Sequence, residues 1–471
     1  MDIRGKNKDN SQAIFNVASQ VILNGTNFVL IMIFTRFLST VEYGTVSIFQ
    51  AYSLFLTVIV GLNVQGSIGT AFVHFDIRER DNYLSSIMLM AIGFFMLITL
   101  VSLVFIKPFS EFSELSPALI LLMLFYSFGS FAFNFANIKY VYLRKSQYSC
   151  LMALIVSISM IILSWLGVKK QGQLGLPPYI LRILSISIPY IICAFYVLVT
   201  IFISGSPFKN IRKYLRFCLP ICIPLVFHGI SQIILGQTDK VMLQKILTDN
   251  SVVGIYSFIV TFVHILNSIY NALNNTWVPI YYDFTKRDEV TAILRRANRY
   301  SNLFLSLCIG FMMVAPEFVR IFADSNYWGG INLIPWIVLA VFFTFQYSFA
   351  VNFELYHRKS KWIAIGTTAA AISNIIFNAI LIPHFAMIGA AVATLLSYIL
   401  LFVFHQLCAS KLKADTEYPF KNSFFAKRVI VILAFTILFN FVQNIWYIRW
   451  IIAIIVGSYL LITIIRNKTI F

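Results

Sequence analysis

Six ionisable residues stand inside long apolar runs of this 471-residue chain: Arg36, Lys139, Arg182, Asp239, Lys240 and Arg320. Glu317 and Glu354 sit nearer the ends of such runs. A charge at mid-membrane costs about 2.5–3.5 kcal/mol on insertion scales, so it faces a wet cavity or a partner. Five of the six are cations, and gathered together they would line a basic cavity. That chemistry suits an anionic head group better than a cationic drug. Lys139, Arg182, Arg320 and Glu354 lie close enough to span ends to snorkel instead. Asp239 and Lys240, one apart on a helix, diverge and could each pair with another span. Arg36 and Lys240 occupy matching positions in two copies of a repeat, which singles them out as substrate contacts.

Other chemistries find no support. No Walker A sequence occurs, so nothing points to ATP-driven transport. The six Cys are scattered. Cys218 and Cys222 share a helical face, but without His or further Cys nearby they read as packing and not as a metal site. The six His show no metalloprotease-like pairing. No nucleophile–base pair or metal-ligand spacing is visible, so neither an enzyme nor a bound cofactor is expected.

The elements that must hold those charges follow from composition. Of all residues 59% are hydrophobic and 11% charged, against roughly 25% charged in a soluble domain. The apolar runs are long enough to cross a ~30 Å hydrocarbon core as helix, and the alternation of an outer-membrane barrel is absent. The expected fold is an all-α polytopic membrane protein with about 14 transmembrane helices. They cover about 12–37, 45–73, 84–106, 117–143, 148–168, 179–204, 215–240, 252–281, 300–322, 331–355, 362–382, 388–409, 427–444 and 447–465. Residues 1–10 are polar and basic and read as a cytoplasmic tail, not a signal peptide.

The chain says the same thing twice. Arg36 matches Lys240, GTVS from Gly44 matches GIYS from Gly254, and FDIRERD from Phe75 matches YDFTKRD from Tyr282. Further on, Arg144-Lys145-Ser146 matches Arg358-Lys359-Ser360. The expected units are 1–210 and 211–410, each of six helices, with a two-helix extension over 411–471. With the N-terminus inside, 26 of the 36 Lys and Arg fall on the cytoplasmic tails and loops. That asymmetry obeys the positive-inside rule. An even span count puts both termini in the cytoplasm and makes the repeats parallel. The net charge of +18 is then mostly topology and not nucleic-acid binding. Hinges are expected at Pro220, Pro224 and Gly229 of the seventh span, and at Asn24-Gly25 in the first, where breakers permit bending.

Several of these stretches resemble one family. TRFLSTVEYG from Thr35 is similar to a characteristic exit from the first span. TDKVML from Thr238, VGIYS from Val253, WVP from Trp277, Asn378, Ile382-Pro383, IGAAVAT from Ile388 and Ser397-Tyr398 follow in order. Together they resemble the Wzx-like O-antigen and polysaccharide repeat-unit flippases of the multidrug/oligosaccharidyl-lipid/polysaccharide exporter superfamily. Lys240 departs from the Arg of many members, and so lacks the fork for bidentate phosphate recognition. The resemblance implies a polyprenyl-diphosphate-linked oligosaccharide as substrate, moved to the outer leaflet of a bacterial inner membrane by alternating access. It implies as partners membrane lipids, a coupling cation or proton, and other polysaccharide-assembly proteins. A drug or metabolite antiporter of the same superfamily stays open, although acids deep in the spans look nearly absent apart from Asp239. A membrane polymerase or ligase would need a large outward loop or a buried acid–base group. A purely structural scaffold would not need mirrored intramembrane cations.

Overall fold

The computed structural model describes residues 3–412 and 417–467, and every regular element in them is helical. The chain divides into two compact units, 1–233 and 234–471, with the boundary inside one long helix.

In the first unit α1 covers Ile3–Phe34 and α2 covers Thr40–Gly61. Ser39 starts α2 with a reciprocal cap: its Oγ accepts from the Glu42 N–H at 3.2 Å, and Glu42 accepts from the Ser39 N–H at 3.0 Å. α2 stops where Leu62 and Asn63 both turn left-handed. A short 3₁₀ turn, Val64–Ser67, then leads into α3, Ile68–His74. The Asn63 amide closes this break by donating 2.9 Å to the carbonyl of Leu225. Next come α4 (Ile77–Val104), α5 (Ile106–Ser113), α6 (Pro117–Tyr142), α7 (Ser146–Leu174) and α8 (Pro178–Ser204). Prolines in the first turns of α6 and α8 mark their starts. α9, Ile211–Leu247, carries the chain out of this unit and stays helical through Pro220, Pro224 and Gly229.

The second unit begins with the end of α9. α10 (Asn250–Val263) and α11 (Ile265–Lys286) meet at His264, and α12 runs over Val290–Phe322. A 3₁₀ segment, Ser325–Leu333, leads to α13, Ile334–Tyr356. The helical run α14, Ser360–Lys411, is twice the length a bilayer needs, and it is two helices across a kink. Pro383 begins the kink, and Ala386 leaves helical geometry at φ 46°. Gly389 permits the return, since a Cβ there would collide with the carbonyl of Leu381. α15 (Asn422–Val442) and α16 (Trp446–Asn467) complete the described chain.

Twelve helical stretches among the described residues are long and apolar enough to span a membrane. One of them, α14, is the kinked pair, and Ala18–Phe34 of α1 is a further apolar helix. The all-α polytopic fold of about fourteen spans is therefore as expected. One pair of sequence-matched turns shares a backbone geometry. Arg144 and Arg358, matched in sequence, have φ 54° and 58°. The amide of the next residue bonds back 2.8 Å in both, Lys145 to Tyr140 O and Lys359 to Glu354 O. One span expected to be continuous, 45–73, is instead broken at Leu62–Asn63, whereas the one over 252–281 is interrupted only at the single residue His264.

Candidate functional site

Asp239 is a buried charge of the second unit held by side chains. It lies on α9, 4% exposed, and three side chains from three helical segments converge on its carboxylate. The Tyr256 hydroxyl of α10 donates 2.6 Å to Oδ2, and the Asn378 amide, from the first half of α14, donates 2.6 Å to Oδ1. The Thr394 hydroxyl, from the second half of α14, also bonds Oδ2. Asn374, one turn before Asn378, accepts from its amide at 3.0 Å and donates to Thr394 at 3.4 Å. The hairpin at Ala386 brings Thr394 back beside Asn374 and Asn378. Three donors to one carboxylate are the charge-assisted bonds that make a buried ionised acid tolerable.

The carboxylate borders a small cavity of about 70 Å³ inside this unit. Leu235, Val260, Ile337 and Val341 form apolar walls; His264 and Asn267, at the α10–α11 break, give it polar edges. Oxygen atoms of Asp239, Thr394, Tyr256 and the two asparagines could surround a small hard cation, since oxygen ligands suit such ions. They could equally hold a proton on the carboxyl. Among the described residues no cluster of three or more His, Cys, Asp or Glu occurs.

The other charges singled out in the sequence lie as follows. Lys240 follows Asp239 on α9 and is 8% exposed. In the first unit Lys139 on α6 and Arg182 on α8 are also buried. The Lys139 ammonium sits 5.7 Å from the Tyr140 ring. Arg182 stacks 4.6 Å from the Phe34 ring and reaches the Ser164 hydroxyl at 3.4 Å. Neither has a carboxylate at ion-pair distance among the described residues. Arg36 is exposed, just beyond α1. Arg320, exposed near the end of α12, lies 6.0 Å from the Trp328 ring. Asn24 and Gly25 are exposed and helical within α1.

Sequence reasoning missed two features. Glu354 reads as interfacial, yet it is fully buried and pairs with His405 at 3.0 Å. Acids inside the spans are thus less scarce than the sequence suggests. Tyr256, Asn374 and Thr394 were not singled out as site residues. The available signal was Asn374 and Asn378 at helical i,i+4 spacing within an apolar run, because buried amides need partners.

Known proteins resemble this chain in consistent ways. The sequence pattern of a family described as polysaccharide biosynthesis proteins matches residues 11–285, more than half the chain. Lsg locus putative protein 1 of Haemophilus influenzae is 23% identical over 177 residues, 37% of this chain and 43% of that protein. The match thus spans less than half of that relative. Among solved structures, lipid II flippase MurJ in an inward closed conformation superposes with a TM-score of 0.72 at 17% identity. It covers 97% of this chain and 99% of that one. An inward-facing multidrug resistance MATE transporter of the MOP superfamily gives 0.56 at 15% identity, covering 84% and 94%. At these identities the two structures establish a shared fold.

Proposed function

The chain belongs to the family of polysaccharide biosynthesis proteins, and from that premise we propose that it is a flippase for a lipid-linked saccharide. Its substrate is a polyprenyl-diphosphate-linked oligosaccharide, an O-antigen or similar surface-polysaccharide repeat unit. The protein moves it from the cytoplasmic to the outer leaflet by alternating access. The observation that supports this best is the set of buried cations Lys139, Arg182 and Lys240 in a fold shared with a lipid II flippase. A diphosphate needs such partners where water is scarce. Arg36, Lys240 and Asp239 are proposed at the head-group site, with Lys139, Arg182 and Arg320 as further contacts. Bending near Asn24-Gly25, Pro220, Pro224 and Gly229 is proposed to accompany the cycle. The caged Asp239 is the candidate seat of a coupling cation or proton.

We propose a bacterial inner membrane, as the family resemblance implies, with both termini in the cytoplasm, an orientation that the basic-residue asymmetry supports. Reporters fused after Ser146 and Ser360 should both report cytoplasm, and one after Asn250 the outer side. A consistent reversal would invert this orientation.

Purified protein in liposomes should expose the lipid-linked saccharide to an outside probe without altering its mass. Arg36→Ala and Lys240→Ala should each weaken this, because one lost charge-assisted bond costs ~1.5–3 kcal/mol, about 10- to 150-fold in affinity. Undiminished movement by the double variant would remove these cations from the site. A lengthened or transferred saccharide would mean a polymerase or ligase instead. One observation favours a second reading: a buried carboxylate such as Asp239 is what a superfamily drug or metabolite antiporter would use. That reading predicts movement of a soluble organic ion in the same liposomes and none of the saccharide.

A further inference from the structure

We propose that Glu354 and His405 together form a proton-binding site of the second unit, separate from Asp239 and opened to water near the Tyr356–Ser360 turn. Glu354 stands in the last turn of α13 and His405 in the second half of α14. Both side chains have no solvent exposure. Both carboxylate oxygens lie 3.0 Å from Nδ1 of the imidazole. That nitrogen is the carboxylate's hydrogen-bond partner among the described residues, and the buried Nε2 on the far side of the ring has none.

The surroundings leave the pair to balance itself. Tyr347 of α13 stacks on the imidazole with ring centres 5.8 Å apart and planes 23° from parallel. From the first half of α14 comes the bare backbone of Gly366, where a Cβ would stand 2.8 Å from Nε2 and from the Phe404 ring. Tyr418, from the segment before α15, and Cys408 of α14 are the titratable groups near Glu354. Both are ordinarily neutral. His357, just past α13, packs on the rings of Phe353 and Tyr356. Lys359 contributes a backbone amide to the Glu354 carbonyl at 2.8 Å. Among the described residues neither member has a second ion-pair partner, and Lys411, at the end of α14, is the charged group that acts with Glu354 on Cys408.

Proton counting follows. With one shared proton the pair is net neutral, whether written as carboxylate and imidazolium or as carboxylic acid and imidazole. A second proton leaves an imidazolium without a counter-charge, and loss of the first leaves a lone carboxylate. Both are costly in an apolar enclosure. The occluded pair therefore keeps its single proton, and its proton count changes only when the ends of α13 and α14 part and admit water. The proton count is thereby linked to conformation, as coupling to a proton gradient requires. A purely structural clasp would bind α13 to α14 equally well, and the two roles separate experimentally.

The full-length protein in liposomes should show an infrared carboxyl change when the pH is varied over a broad range. Glu354→Gln should abolish that band, and His405→Gln should shift or abolish it. On the flippase reading, wild-type saccharide movement should also depend on pH over that range, by up to about tenfold per pH unit for one proton. The double variant Glu354→Gln/His405→Gln keeps a side-chain hydrogen bond without a titrating group. It should move saccharide with a flatter profile than wild type, any remaining dependence belonging to Asp239. Identical infrared titrations in wild type and variants would overturn the proposal. So would variants that lose thermal stability while keeping the wild-type band and pH profile, which is the behaviour of a clasp. Should wild type move no saccharide at any pH, the flippase reading fails, and the infrared titration still decides the proton site.

Discussion

Asp239→Asn should leave the protein folded and inserted and reduce transport by about a hundredfold or more. The carboxylate receives hydrogen bonds from Tyr256, Asn378 and Thr394. Each bond to a charged group is worth ~1.5–3 kcal/mol, and the net charge is what a coupling ion or proton needs. The amide keeps the volume but offers one acceptor oxygen where the carboxylate offered two. Its NH₂ would meet the Tyr256 and Thr394 hydroxyls, which must turn from donating to accepting. Losing the charge assistance at three bonds, about 1 kcal/mol each, corresponds to about a hundredfold. Folding should survive, because a neutral side chain in this enclosure is no worse solvated than a charged one. Saccharide movement in liposomes, measured with and without an imposed ion or proton gradient, checks the effect. Asp239→Glu keeps the charge with a longer reach and should retain part of the gradient dependence. Wild-type rates from Asp239→Asn would remove this carboxylate from the coupling step.

The contrast between what the sequence revealed and what it hid has a physical cause. Local geometry was legible where a residue dictates it. Arg144-Lys145-Ser146 and Arg358-Lys359-Ser360 mark the same turn in both repeats because the same backbone is needed after α6 and after α13. Pro383 separates the two spans of α14, although the helix turns at Ala386, where no sequence preference points. The break at Leu62–Asn63 escaped notice for a related reason. Leucine is not a turn former, and what holds the break is the Asn63 bond to Leu225, 162 residues away. The cage around Asp239 was half-legible: the acid stood out by its charge, whereas Asn374, Asn378 and Thr394 are neutral. They converge only because α14 folds back on itself. Glu354 and His405 are 51 residues apart, and neither carries a spacing that announces the other.

Glu317→Ala should destabilise the second unit by about 3–5 kcal/mol, toward the lower value, because it leaves a buried guanidinium unpaired. Arg449 on α16 is fully buried, while the Glu317 side chain on α12 is 20% exposed and partly screened. The guanidinium donates 2.6 Å to Glu317 Oε2 and 2.7 Å to the carbonyl of Met313, and its other terminal nitrogen meets Glu317 Oε1. The Nε–H has no partner, so no spare acceptor is at hand. α16 packs along α12, but few of its side chains are fully buried within the protein. Hydrophobic attraction cannot replace the pair either, because lipid tails are as apolar as the neighbouring helices. Loss of Glu317 should therefore free α16 from α12 before it unfolds the rest. Thermal unfolding in detergent should fall measurably, and a single cysteine placed at Ile454 should change its labelling rate. Glu317→Leu combined with Arg449→Leu should recover most of the lost stability, because replacing both members of a buried pair by apolar groups is often neutral. A Glu317→Ala variant as stable as wild type, or a double variant worse than the single, would show that packing and not this ion pair seats α16.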